Sequence, residues 1–260
     1  MAVENVAEVI KALYSNIPWT LSLIGIIKSK KYENLIYDKH KHFIAVKNQW
    51  NEWICYIESK EYLEHLLQIM IKYLIDNRII IFAKENIFTD LKDENGRIIY
   101  CIEDYMYYVS GSQQAYTYNL ATERDIPLLS IQQADYCKEE VGWKTYHIDS
   151  SKYQEVYLHK IKNGKIFLDN SGQYAKVEIS DIYNHYGRIS AVYTIPSKRR
   201  QGLSMQCLRG ALTWAEENGI TLCLNVSQEN TPAVEMYHKL GFRRNGAVLY
   251  MKRVDVKDNS

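Results

Sequence analysis

Apolar positions in this chain recur at two different spacings, and the switches between them lay out its elements. VAEVIKALYS is a short amphipathic helix, and EYLEHLLQIMIKYLID carries a strong helical stripe. ENLIYDKHKHFIAVKN and EWICYIES are strand-like about a Gln-Trp-Asn turn region, and RIIIFAK and GRIIYCIEDYMYYV are further strands. The small, polar stretch VSGSQQA at 109–115 then reads as a boundary. The pattern predicts a smaller α/β domain over 1–112 and a second domain over 113–260.

The second domain opens with a strand in YTYNLA. Thr122 caps a helix beginning near Arg124, with Asp125 three residues on as its reciprocal partner. GKIFLDN and QYAKVEIS form an antiparallel pair about Ser171-Gly172, and AVYTIP is a strand ending at Pro196. Leu208, Ala211, Leu212 and Ala215 recur at helical spacing up to a stop at Asn218-Gly219, and ITLCLNV is a buried strand. In NTPAVEMYHKLGF, Thr231 can cap, Pro232 suits the first helical position, and Gly241 closes the helix. A turn at Asn245-Gly246 and a last strand follow. The elements assemble into one mixed sheet with helices on its faces, an α/β (α+β) fold.

Composition narrows the function classes. A chain of 260 residues, 47% apolar with a formal net charge of +1, has enough core for two domains and no global pull toward nucleic acid or an anionic membrane. Cys55, Cys101, Cys137, Cys207 and Cys223 show no metal or redox spacing and read as buried free thiols, which suits a reducing cytoplasm. No secretory leader is recognisable, and the apolar runs are too short to span a bilayer, so a soluble protein is expected. His40-Lys41-His42 would place two imidazoles on one face of a strand, but no carboxylate or thiol completes a metal site. Trp50 and Trp53 are read as packing residues in the absence of a basic stripe.

The chemistry gathers between Ala191 and Leu208. There an apolar strand enters a basic, glycine-containing turn that opens a helix, and a helix start offers unpaired N–H groups and partial positive charge to a phosphate. Gly202 lets the backbone come close, Arg199 and Arg200 add planar charged forks, and Ser204 can cap the helix. The lysine of the nucleotide phosphate loop and the spaced glycines of the dinucleotide fingerprint are both missing, which leaves another pyrophosphate-bearing ligand.

The segment Arg199-Arg200-Gln201-Gly202-Leu203-Ser204 resembles the [QR]-x-x-G-x-[GA] signature of the Gcn5-related N-acetyltransferases (GNAT), with Ser204 in place of Gly or Ala. Asn230, Ala233, Tyr237, Gly241 and Phe242 resemble the family's later motif. The resemblance covers the second domain. It implies a GNAT fold there, and acetyl-CoA held by the backbone of Val192, Tyr193 and Thr194 at a bulged, splayed strand, by residues 199–204 and by Asn230. It also implies an oxyanion site at a backbone N–H near Val192, with Tyr237 as general acid toward the departing thiolate. Glu178 and Asp181 are read as solvated strand-face carboxylates, so the base is unassigned, and no metal is implied. The acceptor is a small-molecule or peptide amine, and a homodimer is open. A non-catalytic CoA-binding module and a longer acyl donor are the rival readings. The first domain, whose order is loosely half of such a sheet, carries no cofactor loop and can be a degenerate repeat that narrows the acceptor cleft or forms an interface.

Overall fold

The computed structural model describes residues 6–74, 77–88, 91, 98–109, 115–140, 150–163 and 165–253. The expected boundary near 112 lies outside these residues. The chain is a mixed α/β protein and divides into two compact units, one of residues 1–108 with 225–260 and one of 109–224.

In the first unit, helices α1 (Val6–Tyr14) and α2 (Leu21–Lys28) precede strands β1 (Tyr32–Tyr37), β2 (Phe43–Asn48) and β3 (Glu52–Ile57). Helix α3 (Leu63–Met70) crosses to β4 (Arg78–Ala83), and β5 (Ile98–Tyr108) follows. The strands β1, β2 and β3 form an antiparallel meander, while β4 runs parallel to β3. Leu63, Leu66 and Met70 come at three- and four-residue steps and are buried against Trp53, Cys55 and Ile81. The terminal helix α7 (Thr231–Leu240) and strand β11 (Phe242–Arg253) also belong to this unit, and β11 is antiparallel to both β4 and β5.

The second unit repeats the order. After β6 (Asn119–Leu120), α4 (Ile126–Glu140) and α5 (Ser150–Asn163) come β7 (Lys165–Leu168), β8 (Ala175–Tyr183) and β9 (Tyr186–Thr194), again an antiparallel meander. Helix α6 (Leu203–Glu217) then crosses to β10 (Thr221–Ser227), which pairs parallel to β9. Leu208, Ala211, Leu212 and Ala215 form the buried face of α6 as expected, and Gly219 (φ +64) follows its end. Thr122 and Asp125 form the predicted reciprocal cap.

Several expectations are corrected. His40 and Lys41 lie in a turn between β1 and β2, because Asp38 accepts from the His40 and Phe43 N–H groups and folds the chain there. His42 stacks on Tyr62 at 4.0 Å. Asn245-Gly246 is a bulge inside β11, where the register with β5 shifts between Arg244 and Ala247. A side chain at Gly246 would strike the Ala83 carbonyl at 2.3 Å, and its φ of +126 also favours glycine. Cys101 is exposed, while the other four cysteines are buried. The segment TLSLIGII contains most of α2, and α5 was not expected at all. Among the described residues no helix is long and apolar enough to cross a membrane.

Candidate functional site

The strand β9 has two unlike edges. On one side it pairs with β8, but the register slips: Glu178 faces Ser190 and Lys176 faces Tyr193, so Val177 alone stands opposite both Ala191 and Val192. That is a β-bulge on β9. Ala191 adopts φ +46, a left-handed conformation that costs a non-glycine residue about 1–2 kcal/mol. On the other side the parallel ladder to β10 runs through Tyr186–Thr221, Gly187–Leu222 and Arg188–Cys223, and extends no further. From Ile189 to Thr194, that edge of β9 has no ladder partner among the described residues of this unit. The bulge expected near Val192 lies at Ala191–Val192, and the ladder to β10 ends before Val192, Tyr193 and Thr194.

Beyond it, Pro196–Lys198 makes a short 3₁₀ turn. Arg200 (φ +64) and Gly202 (φ +77) are both left-handed in the loop that enters α6. No protein acceptor among the described residues takes the N–H groups of residues 200–205; Gln206 is the first to bond back, to the Gly202 carbonyl at 3.1 Å. Such a row of free amides at a helix start is an anion cradle. Around Gly202 the space is open, since a Cβ there would meet nothing within 4 Å. Glycine is needed for its φ rather than for crowding. It also occupies the position before the helix, so Ser204 is not the cap. Instead the Ser204 and Thr194 hydroxyls bond at 2.6 Å.

The two arginines differ. Arg199 donates through Nε to the Thr194 carbonyl at 3.0 Å and through its terminal nitrogen to Glu139, at the end of α4. The hydrogen bond to that carboxylate raises its already high pKa. Its guanidinium lies 5.8 Å from the centre of the buried Tyr193 ring. Arg200 and Gln201 are exposed, and Arg200 has no hydrogen-bond or ion-pair partner among the described residues. Leu203 is half-buried at the start of α6. The residues present fit a diphosphate: free amides, one uncommitted guanidinium and room above Gly202.

Asn230 and Tyr237 belong to the other unit. The Asn230 side chain, rather than Thr231, caps α7 by accepting from the Ala233 N–H at 3.3 Å. Tyr237 is buried and sets its ring edge-on to Phe242 at 5.7 Å.

Glu178 is not a solvated carboxylate. It is 2% exposed and Lys176 is 0% exposed, and the two form an ion pair. The Glu178 Oε2 also accepts from Lys160 at 2.5 Å, while Oε1 accepts from Tyr157 at 2.8 Å. Burial pulls this carboxyl up, but the two ammonium groups and their hydrogen bonds more than offset that and hold it at about 2. With both oxygens committed and its proton affinity this low, Glu178 is a poor base. Asp181 is half-buried and pairs with Arg188 at 3.1 Å. Sequence reasoning missed Glu139, the partner of Arg199, and the lysines around Glu178. The one signal available was Lys-x-Glu alternation in an otherwise apolar strand.

The first unit lacks the corresponding opening. There β3 and β4 stay in register from Glu52–Arg78 to Ile57–Ala83, and Lys60–Tyr62 replaces the glycine-containing loop.

Residues 177–251 match the model of the family described as FR47-like protein. The fold is that of GNAT acetyltransferases. A putative GNAT acetyltransferase from Novosphingobium aromaticivorans aligns over 92% of this chain and 97% of its own at 17% identity and a TM-score of 0.57. A GNAT acetyltransferase from Colwellia psychrerythraea aligns over 98% of both chains at 11% identity and a TM-score of 0.62. A GCN5-related N-acetyltransferase from Kribbella flavida aligns over 91% of this chain and 94% of its own, at 13% identity and a TM-score of 0.57. No curated protein matches the chain.

Proposed function

We propose that this protein is an N-acetyltransferase that uses acetyl-CoA and acts on a primary amine of a small molecule or peptide. The observation that carries the reading is the conjunction on β9: a bulge at Ala191–Val192, a ladder to β10 that ends at Arg188, and a loop whose amides from 200 to 205 have no acceptor among the described residues. Strand edges left open in this way bind extended chains through main-chain hydrogen bonds, and the pantetheine arm is such a chain.

Acetyl-CoA, when bound, supplies a thioester whose carbonyl is open to attack by a neutral amine. The residues 199–204 hold the diphosphate, with Arg200 as the uncommitted cation and Arg199 recruited from Glu139. Val192, Tyr193 and Thr194 hold the arm, and a backbone N–H at the bulge, near Val192, is oriented toward developing oxyanion charge. Tyr237 donates its phenolic proton to the leaving thiolate, and Asn230 frames the start of its helix. The fixed position of Glu178 between two lysines argues that the amine proton leaves by another route. All five cysteines are free, which supports a reducing, cytoplasmic setting.

The test is calorimetry with CoA and acetyl-CoA, followed by thiol release against a library of amines and peptides. Binding with turnover on at least one amine supports the enzyme. Binding without turnover on any amine leaves a CoA-binding module, and no heat from a folded protein removes the reading altogether.

A further inference from the structure

The ion pair buried under β8 sits where the bulge needs support. Lys176 and Glu178 lie on one face of β8, on either side of Val177, the residue that stands opposite Ala191 and Val192. Their cross-strand partners, Tyr193 and Ser190, bracket the bulge on β9. Every donor of the Lys176 ammonium is used: it bonds Gln133 of α4 at 2.9 Å, Tyr157 of α5 at 2.8 Å, and Glu178. Glu178 is tied in turn to Tyr157 and Lys160 of α5.

Stability alone does not explain this network. Burying two charges carries a large desolvation cost, and well-packed apolar residues often serve as well or better. What the network does is bind both flanks of Val177 to two helices at once. A β-strand next to a left-handed alanine would otherwise relax into regular pairing, which shifts every following side chain to the opposite face.

We propose that Lys176 and Glu178 are positioning residues that lock the bulge at Ala191–Val192 and so aim the Val192 amide at the acetyl carbonyl. This rests on the acetyltransferase reading. Neither residue touches the reacting atoms; both act through the geometry of β9.

The variant to make is Lys176→Met with Glu178→Leu, which removes both charges together and keeps the volume, so that no lone buried ion remains. Two readouts are needed besides CoA calorimetry. One is hydrogen exchange of the 189–194 amides in the cofactor-free protein. The other is the ¹³C shift of the bound thioester carbonyl in [1-¹³C]acetyl-CoA, which reports polarisation without an acceptor.

The expected result is CoA affinity within about threefold of wild type, since diphosphate contacts are untouched, with exchange at 189–194 faster by about tenfold or more and the carbonyl shift moved toward its value in free acetyl-CoA. A folded variant with wild-type exchange and shift overturns the proposal. A wild-type protein that leaves the carbonyl at its free value overturns the function and this role with it; wild-type exchange rates in the variant overturn this role alone. Glu178→Gln, which keeps an oxygen for Lys176, serves where the double variant does not fold, with the same two outcomes. Failure of both to fold assigns the network to stability and also overturns the proposal.

Discussion

Thr194 Oγ1 and Ser204 Oγ meet at 2.6 Å, joining the last residue of β9 to the first turn of α6 across the glycine-containing loop. The bond fixes the two ends of the segment that carries the free amides. A neutral hydrogen bond of this kind contributes about 1 kcal/mol. Thr194→Val should therefore weaken CoA binding by roughly threefold to tenfold in calorimetry, with a small loss of thermal stability. Wild-type affinity would show that the loop holds its shape without the tie.

Gly202 is left-handed with open space around it, so a side chain there is strained but not blocked. Gly202→Ala should cost about 1–2 kcal/mol of the loop's conformation, or roughly fivefold to thirtyfold in CoA affinity. Gly202→Asn should lose less, because asparagine tolerates this region. Equal losses for both would mean that bulk, not φ, decides the effect.

Glu139 holds the Arg199 guanidinium that the proposed diphosphate site would recruit. The pair is exposed and contributes little by itself, so Glu139→Gln should leave stability unchanged while tightening CoA binding by about twofold to fivefold at low salt. The gain should shrink at high ionic strength. Weaker binding in Glu139→Gln would mean that the carboxylate orients Arg199 instead of diverting it.

Tyr237 packs its ring on Phe242, and Tyr237→Phe keeps that contact. The expected outcome is unchanged CoA affinity with turnover reduced by about 10²–10⁴. Unchanged turnover would leave the ring as a packing element only.

Acid should unfold this protein through its buried carboxylates. Glu178 is held at about 2, below the ordinary value of about 4.3. Its contribution is fully present above the unfolded value and is lost as pH falls toward about 2. Asp169 acts in the same sense: burial raises it, but hydrogen bonds from Ser171, Ala175 and Tyr174 win and keep it lowered. Thermal midpoints measured from pH 7 down to 3 should fall, and Glu178→Gln should start lower and lose less over that range. Parallel curves for the two proteins would mean that Glu178 titrates normally.

Much of this was legible in the sequence because it is local. The Thr122–Asp125 cap, the α6 stripe from Leu208 to Ala215, the stop at Gly219 and the glycine of the loop each follow from neighbouring residues. What escaped is set by tertiary structure. The inward stripe of α5 is Tyr153, Tyr157 and Ile161, packed against Leu129 and Ile166, and tyrosine does not separate core from surface by type. Glu178 reads as solvent-facing because charge alternating with apolar residues ordinarily marks a one-sided strand, but Gln133 of α4 and Tyr157 and Lys160 of α5 cover that second face. Only the family resemblance pointed to the bulge, since alanine itself gives no sign of positive φ.

The unbroken register of β3 with β4 has its own consequence. A chain that repeats one topological plan in two places has opened the seam between parallel strands in only one of them, at Arg188–Cys223, and has kept the other shut from Glu52 to Ile57. Each polypeptide should thus take up a single equivalent of acetyl-CoA.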